Sequence, residues 1–331
     1  MNTNGSRETM LTETQVAQAA EDAFAVLGHE TRLAILFALW EHRRSDKAIP
    51  QRPMTFTALR KRIGMTDGSQ FNYHLKPLLD RYVHHSGDGY ILRREGELVV
   101  SAILSGAFTD EVVFDAVPRD DPCPICGGQT IFECNTERTL GGFVVRCTEC
   151  EGAFGGVGFD GALSLTDSLS PVGIRSRDPA EFYPALLVTI KHQIMSGVEG
   201  VCPDCNGPMS VTPRVCADHH SELGRRCESC DTIFEVMFRS VCDVCHLLIS
   251  APSDRHLLTE PRVLAFLDDH GYDPWVDWIR TELEVVDRQT VLSEDPFELE
   301  VVWEADGDRL VASLDGDGNV TGLETGAAAN G

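Results

Sequence analysis

Ten of the twelve cysteines fall in Cys-x2-Cys pairs, the spacing at which two thiolates on one tight turn bind a single metal ion. The pairs are Cys123/Cys126, Cys147/Cys150, Cys202/Cys205, Cys227/Cys230 and Cys242/Cys245. Because no secretory signal is visible at the N-terminus, we expect a cytoplasmic protein with metal-bound thiolates rather than disulfides. Four thiolates around zinc leave no open coordination position, so we expect structural rather than catalytic sites.

The first two pairs have the spacing of a zinc ribbon. Twenty residues separate Cys126 from Cys147, and Gly141-Gly142 lies between apolar stretches of that segment. A hairpin there would bring the two turns together as a four-thiolate site. Cys134 is then expected to be a buried apolar residue and not a fifth ligand.

The partners at a second site stay open. Cys202/Cys205 and Cys227/Cys230 repeat the ribbon spacing at 21 residues, which favours this pairing. Alternatively, Cys242/Cys245 is the distal turn of this site. Cys227/Cys230 then need other ligands beside them, such as Cys216 or His219-His220. A two-metal cluster with shared thiolates is a third arrangement. The favoured count is two Zn²⁺ per chain. A redox role for the remaining pair is the alternative to a structural one.

The charge is strongly negative and unevenly distributed. The chain has a formal net charge of −24, and only four of its basic residues are lysines, a composition suited to solubility in very high salt. We therefore expect a halophilic source. Residues 1–110 are neutral, residues 111–331 carry the whole excess, and residues 55–94 hold 7 basic and 3 acidic side chains. A phosphate backbone would be repelled everywhere except near that segment.

Hydrophobic periodicity and turn residues predict an α+β chain. Its N-terminal part reads as helices over 12–27, 29–42, 55–63 and 69–82, a hairpin over 83–92 and a closing helix over 93–108. Ser69 is expected to cap the fourth helix and Pro77 to kink it. Two helices joined by a short glycine turn and followed by a hairpin indicate a winged helix-turn-helix.

The second helix of such a unit enters the DNA major groove with its N-terminal residues on the base edges. The candidate base contacts are Ser69, Gln70, Asn72, Tyr73 and His74, with Lys76 one turn further on. The candidate backbone contacts are Arg60, Lys61, Arg62, His84 and His85. Double-stranded DNA is therefore the predicted partner of this domain.

The pattern divides the chain into five parts. These are a DNA-binding domain over 12–110, a first zinc ribbon over 119–160, a connecting helix over 175–198, a cysteine-rich module over 199–258, and a C-terminal helix plus antiparallel β-meander over 259–325. The last helix is predicted to reach Trp275 and Trp278, and His256 is read as a surface or packing residue. No apolar run is long enough to span a membrane, and no catalytic constellation is visible, so no enzyme is expected.

Three stretches carry a family resemblance: FAVLGHETRLAILFAL, TFTALRKRIGMTDGSQFNYHLKPLLDRYV and GDGYILRREGELVV. Together they resemble the ArsR-like winged-helix regulators abundant in halophilic archaea. CDVCHLLISAPSDRHLLTEPRVLAFLDDHG is similar to the C-terminal portion of one subgroup. The resemblance implies a homodimeric transcription factor with residues 69–74 on its recognition helix. Metal-sensing members carry paired cysteines on the preceding helix, but TFTALRKRIG has none, so their metal switch is not carried over.

Three functions fit these features. The first is a homodimeric regulator that binds a pseudo-palindromic operator through the recognition helix and the hairpin. The second is an interaction protein whose ribbons recruit the transcription machinery. The third is a zinc-thiol redox switch, which would need reactive cysteines.

Overall fold

The structure, a computed structural model, describes residues 13–45, 52–108, 114–135, 142–155, 160–166, 170–221, 225–273 and 288–328. It contains helices and several antiparallel sheets, which confirms the expected mixed α+β class. The chain divides into two compact units, Met1–Asp110 and Glu111–Gly331.

The N-terminal unit is a set of helices around a small antiparallel sheet. Its elements are α1 (Glu13–Leu27), α2 (Glu30–Ser45), β1 (Met54–Thr55), α3 (Phe56–Arg62), α4 (Gly68–Leu75), a 3₁₀ turn (Lys76–Leu78), β2 (Val83–Ser86), β3 (Gly89–Leu92) and α5 (Arg94–Leu104). The strand order is β1-β3-β2, and His85 pairs with Tyr90 across the hairpin. Apolar faces of α2, α3 and α4 form the core, with Leu39, Leu59 and Phe71 fully buried.

The start and end of α4 differ from the prediction. Asp67, not Ser69, is the N-cap: its Oδ1 accepts the backbone N–H groups of Ser69 at 2.7 Å and Gln70 at 3.0 Å. A carboxylate is as good a cap as a hydroxyl and complements the helix dipole. The helix also ends at Leu75 and not at Tyr82, because Pro77 has no N–H to continue it and a 3₁₀ turn follows. Thr55 caps α3 as predicted.

At Gly96, tight packing and helix propensity predict opposite effects of an alanine substitution on stability. A Cβ on this residue of α5 would lie 2.6 Å from the Tyr82 carbonyl oxygen and 2.8 Å from Leu92 Cδ1. Alanine normally stabilises a helix over glycine by about 1 kcal/mol. We expect Gly96→Ala instead to lower the free energy of unfolding by about 1–3 kcal/mol through overpacking. Denaturant titration followed by circular dichroism measures this. Ser101→Ala, at an exposed position of the same helix, is the control and should be near neutral; a stabilised Gly96→Ala chain would contradict the packing argument.

In the part of the C-terminal unit that the structure describes, the strands form three sheets. Its strands are β4 (Val117–Pro118), β5 (Thr130–Asn135), β6 (Gly142–Cys147), β7 (Ala162–Thr166), β8 (Met209–Val215), β9 (Val236–Cys242), β10 (Leu248–Pro252), β11 (Gln289–Glu294), β12 (Phe297–Ala305), β13 (Asp308–Asp315) and β14 (Val320–Ala327). The sheet orders are β4-β5-β6-β7, β8-β9-β10 and β11-β12-β13-β14, all antiparallel.

Among the described residues, four helices connect these sheets: α6 (Pro171–Arg175), α7 (Pro179–Val198), α8 (Ser253–Leu257) and α9 (Pro261–Asp269). The predicted connecting helix is α7. Its Phe182 and Leu186 pack on the β4–β7 sheet, while Gly197 lies against the β8–β10 sheet at Ile249. The helix therefore joins the two cysteine-rich modules through apolar contacts.

The C-terminal meander shares a core with the second module. Leu299, Val301 and Trp303 of β12 pack with Phe238 of β9 and with the apolar residues of α8 and α9. Trp275, Trp278 and the rest of the predicted C-terminal helix and meander over 274–287 lie outside the described residues. In the part of the chain that is described, no single helix combines the length and apolar character of a bilayer span; only segments of α1 and α2 taken together do, at a mutual bend of 81°.

Candidate metal centres and nucleic-acid interface

The first group of ligands is the predicted one. The β5–β6 hairpin, in which Thr130 pairs with Cys147, brings the turn at Cys123/Cys126 to the turn at Cys147/Cys150. The Sγ atoms of Cys123 and Cys150 are 3.8 Å apart, and those of Cys126 and Cys147 are 3.5 Å apart. Burial raises the pKa of the Cys123 thiol to about 11, so a thiolate there needs a cation beside it at neutral pH. Cys134 lies outside the group, packed against the apolar core.

The second group differs from the favoured prediction. Cys202 and Cys205 meet Cys242 and Cys245, with Sγ–Sγ distances of 3.6 Å (Cys202–Cys245) and 3.4 Å (Cys205–Cys242). The β8–β9 register explains this, because Met209 pairs with Cys242 and Val215 with Val236. Residues 227–230 therefore lie at the opposite end of the hairpin, roughly 20 Å away at about 3.3 Å per residue. The pairing of Cys202/Cys205 with Cys227/Cys230 was wrong, and the alternative with Cys242/Cys245 is confirmed.

The remaining pair has its own partners. Cys227 and Cys230 group with Cys216 and His219, and the four ligand atoms lie within 4.8 Å of one another. His219 Nδ1 is 3.5 Å from Cys230 Sγ. The sequence pointed to Cys216 and His219 only as alternative partners. The described residues thus contain three Cys/His groups able to hold a metal ion, where two zinc ions were expected.

Four of the five cysteine pairs have one and the same backbone turn. The residue after the second cysteine is left-handed, and its N–H donates to the carbonyl of the first cysteine: Gly127 to Cys123 at 2.8 Å, Asn206 to Cys202 at 2.9 Å, Asp231 to Cys227 at 2.8 Å and His246 to Cys242 at 3.1 Å. A left-handed backbone is unfavourable for a residue with a side chain. Its repetition indicates that these turns are shaped to present two sulfur atoms to one ligand.

Backbone N–H groups lower the pKa of two of the cysteine thiols. The His220 N–H, 3.4 Å from Cys227 Sγ, is the largest influence that lowers the pKa of the Cys227 thiol to about 6. The N–H of Cys245 has the same effect on Cys242, whose pKa is also lowered to about 6. Hydrogen bonds to the charged form favour it, so these two ligands are thiolates near neutral pH.

The surface of α4 divides the predicted DNA contacts into two sets. Exposed residues on α4, α3 and the hairpin are Ser69, Gln70, Asn72, Tyr73, Lys76, Lys61, Arg62, His84 and His85. His74 is only 5% exposed and lies 4.3 Å from the His29 ring between centroids. The prediction that His74 contacts a base was therefore wrong. This side chain faces the core because it follows Phe71 by three residues on the same helix face. Burial lowers its pKa.

Both arginines on α3 already have intramolecular partners. The guanidinium of Arg60 donates to the Thr66 carbonyl and, at 3.5 Å, to the Met65 carbonyl, which holds the turn between α3 and α4. Arg62 forms an ion pair with Glu41 at 2.7 Å. Of the three predicted α3 contacts, Lys61 has an exposed side chain that the structure does not place in such a pair.

The architecture and the ligand groups define an α+β protein with a helical N-terminal unit and a C-terminal unit organised by three Cys/His groups compatible with metal binding. The chain belongs to the family described as Domain of unknown function (DUF7351), whose model matches residues 120–320. A second model, Domain of unknown function (DUF7347), matches residues 20–103. No curated protein and no solved structure matches the chain significantly. The two matched ranges lie on opposite sides of the boundary between the units.

Proposed function

We propose that the chain is a cytoplasmic, DNA-binding transcriptional regulator with an ArsR-like winged helix-turn-helix in its N-terminal unit and structural zinc in its C-terminal unit. The observation that carries the proposal is the two-sided surface of α4. Its Phe71 and Leu75 are fully buried, whereas Gln70, Asn72 and Tyr73 face solvent along the rest of the helix. A recognition helix needs both faces: one fixed to the core and one free to meet base edges.

Charge and side-chain chemistry support this choice of partner. Gln and Asn can pair bidentately with adenine, while Lys61, Lys76 and the histidines of β2 suit phosphate contacts. Residues 55–94 have a local excess of basic groups on a chain whose net charge is −24. Double-stranded DNA can therefore approach this surface with less repulsion than any acidic part of the molecule.

A homodimer is part of the proposal. Four large apolar side chains on α1, on α5 and just after α5 are exposed in the single chain: Phe24 at 69%, Leu98 at 53%, Leu104 at 42% and Phe108 at 76%. Large apolar side chains left in contact with water favour association with a partner surface. Two copies joined there would present two recognition helices to a pseudo-palindromic operator.

Zinc suits the two four-cysteine groups. A tetrahedral Zn²⁺ with Zn–S bonds of about 2.3 Å requires Sγ–Sγ distances of about 3.8 Å. The distances quoted above run from 3.4 Å (Cys205–Cys242) to 3.8 Å (Cys123–Cys150). Such closed sites hold a fold together and carry no reaction. The redox alternative loses its main support, because Cys227 and Cys230 are not a spare pair but lie with Cys216 and His219.

The proposal predicts that two exposed side chains set DNA affinity. We expect Gln70→Ala and Asn72→Ala each to weaken binding by about 1–3 kcal/mol, a loss of roughly 5- to 150-fold in Kd. The measurement is a gel-shift titration of the full chain on the promoter upstream of its own gene, at molar salt. Gln18→Ala, the same change at an exposed position of α1, is the matched control.

Two results would count against this function. Equal affinity for the promoter and for an unrelated duplex would contradict sequence-specific DNA binding. An unchanged Kd in both α4 variants would contradict the assignment of α4 as the recognition helix. Either result would favour the alternative of an interaction protein whose cysteine-rich modules contact the transcription machinery.

A further inference from the structure

We propose that Cys216, His219, Cys227 and Cys230 bind a third zinc ion, and that this ion fastens residues 216–221 and 225–233 against the first cysteine-rich module. The site goes beyond the two structural zinc ions and does not depend on DNA binding. Its ligands come from the residue after β8 and from the connection to β9. This is the opposite end of the β8–β9 hairpin from Cys202, Cys205, Cys242 and Cys245. Three thiolates and one imidazole are an established zinc ligand set.

The hydrogen bonds of His219 identify which of its nitrogen atoms is a ligand. Its Nε2 lies 2.9 Å from Ser221 Oγ, and that hydroxyl donates its only proton to the Ile233 carbonyl at 3.2 Å. With that proton on the Ile233 carbonyl, Ser221 Oγ accepts from Nε2–H, and in the neutral imidazole Nδ1 then carries no proton. Nδ1 is the atom that faces Cys230 Sγ at 3.5 Å. Zinc-binding histidines are oriented in this way, with the other ring nitrogen held by a hydrogen-bond acceptor.

The Cys227/Cys230 turn gives independent support. It is closed by the Asp231 N–H on the Cys227 carbonyl at 2.8 Å and by the Cys227 N–H on the Thr232 carbonyl at 3.1 Å. The turns at Cys123/Cys126, Cys202/Cys205 and Cys242/Cys245 are closed by the same two bonds. At Asp231 the turn needs a left-handed backbone, with φ of 57°, in a residue that is not glycine. A bound ion compensates for that conformational cost.

This same turn contacts the chain just after the first metal group. Asp231 accepts the Gly155 N–H at 2.7 Å through its carbonyl, and the Ile233 N–H donates to the Ala153 carbonyl at 3.1 Å. The side chain of Arg226 bonds the Glu151 carbonyl as well as Asp231 Oδ1, the latter at 2.9 Å. Ala153 and Ile233 are each only 1% exposed, so the contact has a dry centre.

Zinc at this site therefore has a positional role. Residues 216–221 and 225–233 contain little regular structure, and the two backbone bonds to residues 153–155 depend on the shape of the turn. With its four ligands bound to one ion, the turn keeps that shape and holds the two modules together at this point.

Metal content and thiol accessibility of the full wild-type chain test the site directly. We expect three zinc ions per chain by elemental analysis, and protection of Cys216, Cys227 and Cys230 from N-ethylmaleimide as strong as that of the four-cysteine groups. His219→Ala should reduce the content to two, whereas His220→Ala, at the neighbouring exposed histidine, should keep three. Two zinc ions in the wild type, with rapid labelling of Cys216, Cys227 and Cys230, would overturn the site; this holds even if the His219 variant does not fold.

Hydrogen exchange tests the positional role separately. In His219→Ala we expect the Gly155 and Ile233 amides to lose at least tenfold in protection, while they keep it in His220→Ala. Three zinc ions in the wild type combined with unchanged protection in His219→Ala would leave a metal site but overturn its role in joining the modules.

Discussion

Complete removal of metal by a chelator is expected to unfold the C-terminal unit, Glu111–Gly331, and to leave the N-terminal unit, Met1–Asp110, folded. All twelve cysteines lie in the C-terminal unit. Structural zinc contributes on the order of 10–16 kcal/mol per site in zinc-finger peptides, whereas a whole domain is stable by only about 5–15 kcal/mol. The loss of one such site therefore equals or exceeds the net stability of the unit.

The N-terminal unit provides an internal control for this experiment. Hydrogen exchange after chelation should show full exchange at buried strands such as β6 and β9, while amides of α2 in the N-terminal unit keep their protection. Single substitutions sharpen the result: Cys147→Ser should destabilise the C-terminal unit strongly, and Cys134→Ser, at a cysteine outside the groups, should cost far less. A metal-free chain whose C-terminal unit unfolds at an unchanged denaturant midpoint would contradict structural zinc.

The ligand groups show what spacing predicts and what it does not. The Cys-x2-Cys spacing predicted the turns, and the short hairpin after Cys126 predicted the first group. The predicted pairing at the second group was wrong because the number of residues between two cysteine pairs does not show at which end of a hairpin each pair lies. Cys227/Cys230 and Cys242/Cys245 follow Cys202/Cys205 at different ends of the β8–β9 hairpin, and the register that separates them comes from alternating burial along those strands.

The N-terminal unit shows a similar limit. Apart from the end of α4, periodicity located its helices within a few residues, since their apolar faces repeat clearly. It did not separate His74 from its exposed neighbours, because Asn72, Tyr73 and His74 are all polar and only the phase of the helix relative to Phe71 decides which one is buried. Likewise, Asp67 and Ser69 are both capping residues, and the choice between them depends on the turn geometry after Gly64.

The burial of α8 was not predicted at all. Ser253, Asp254, Arg255 and His256 are consecutive polar residues, which normally indicate a surface turn, yet each is at most 2% exposed. They lie between β9 and the C-terminal sheet, with the His256 ring 4.6 Å from the Phe238 ring and Gly318 close to its Nδ1. The reading of His256 as a packing residue fits this position, and the reading as a surface residue does not.

Asp254 and His256 should give opposite pH dependences that nearly cancel. Burial lowers the pKa of His256 to about 4, so the unfolded chain binds its proton first, and stability falls as the pH drops from 6.5 towards 4. Burial also raises the pKa of Asp254 to about 6 against the opposing charge of Arg255. The folded chain then holds a proton that the unfolded chain releases, so stability falls as the pH rises from 3.8 to 6. Each contribution is about 3 kcal/mol over its complete window.

Substitution of either residue should therefore expose the pH dependence of the other. Relative to wild type, Asp254→Asn is expected to lose stability as the pH is lowered from 7, and His256→Asn to gain it, because each variant retains only one titrating group. Denaturant titrations down to the lowest pH at which the wild type keeps its metal measure this. The protonation of thiolate ligands affects all chains alike and cancels in the differences. In the double variant, the free energy of unfolding should depend on pH as it does in wild type. If the single variants also show the wild-type pH dependence, neither group is held in its neutral form by the fold.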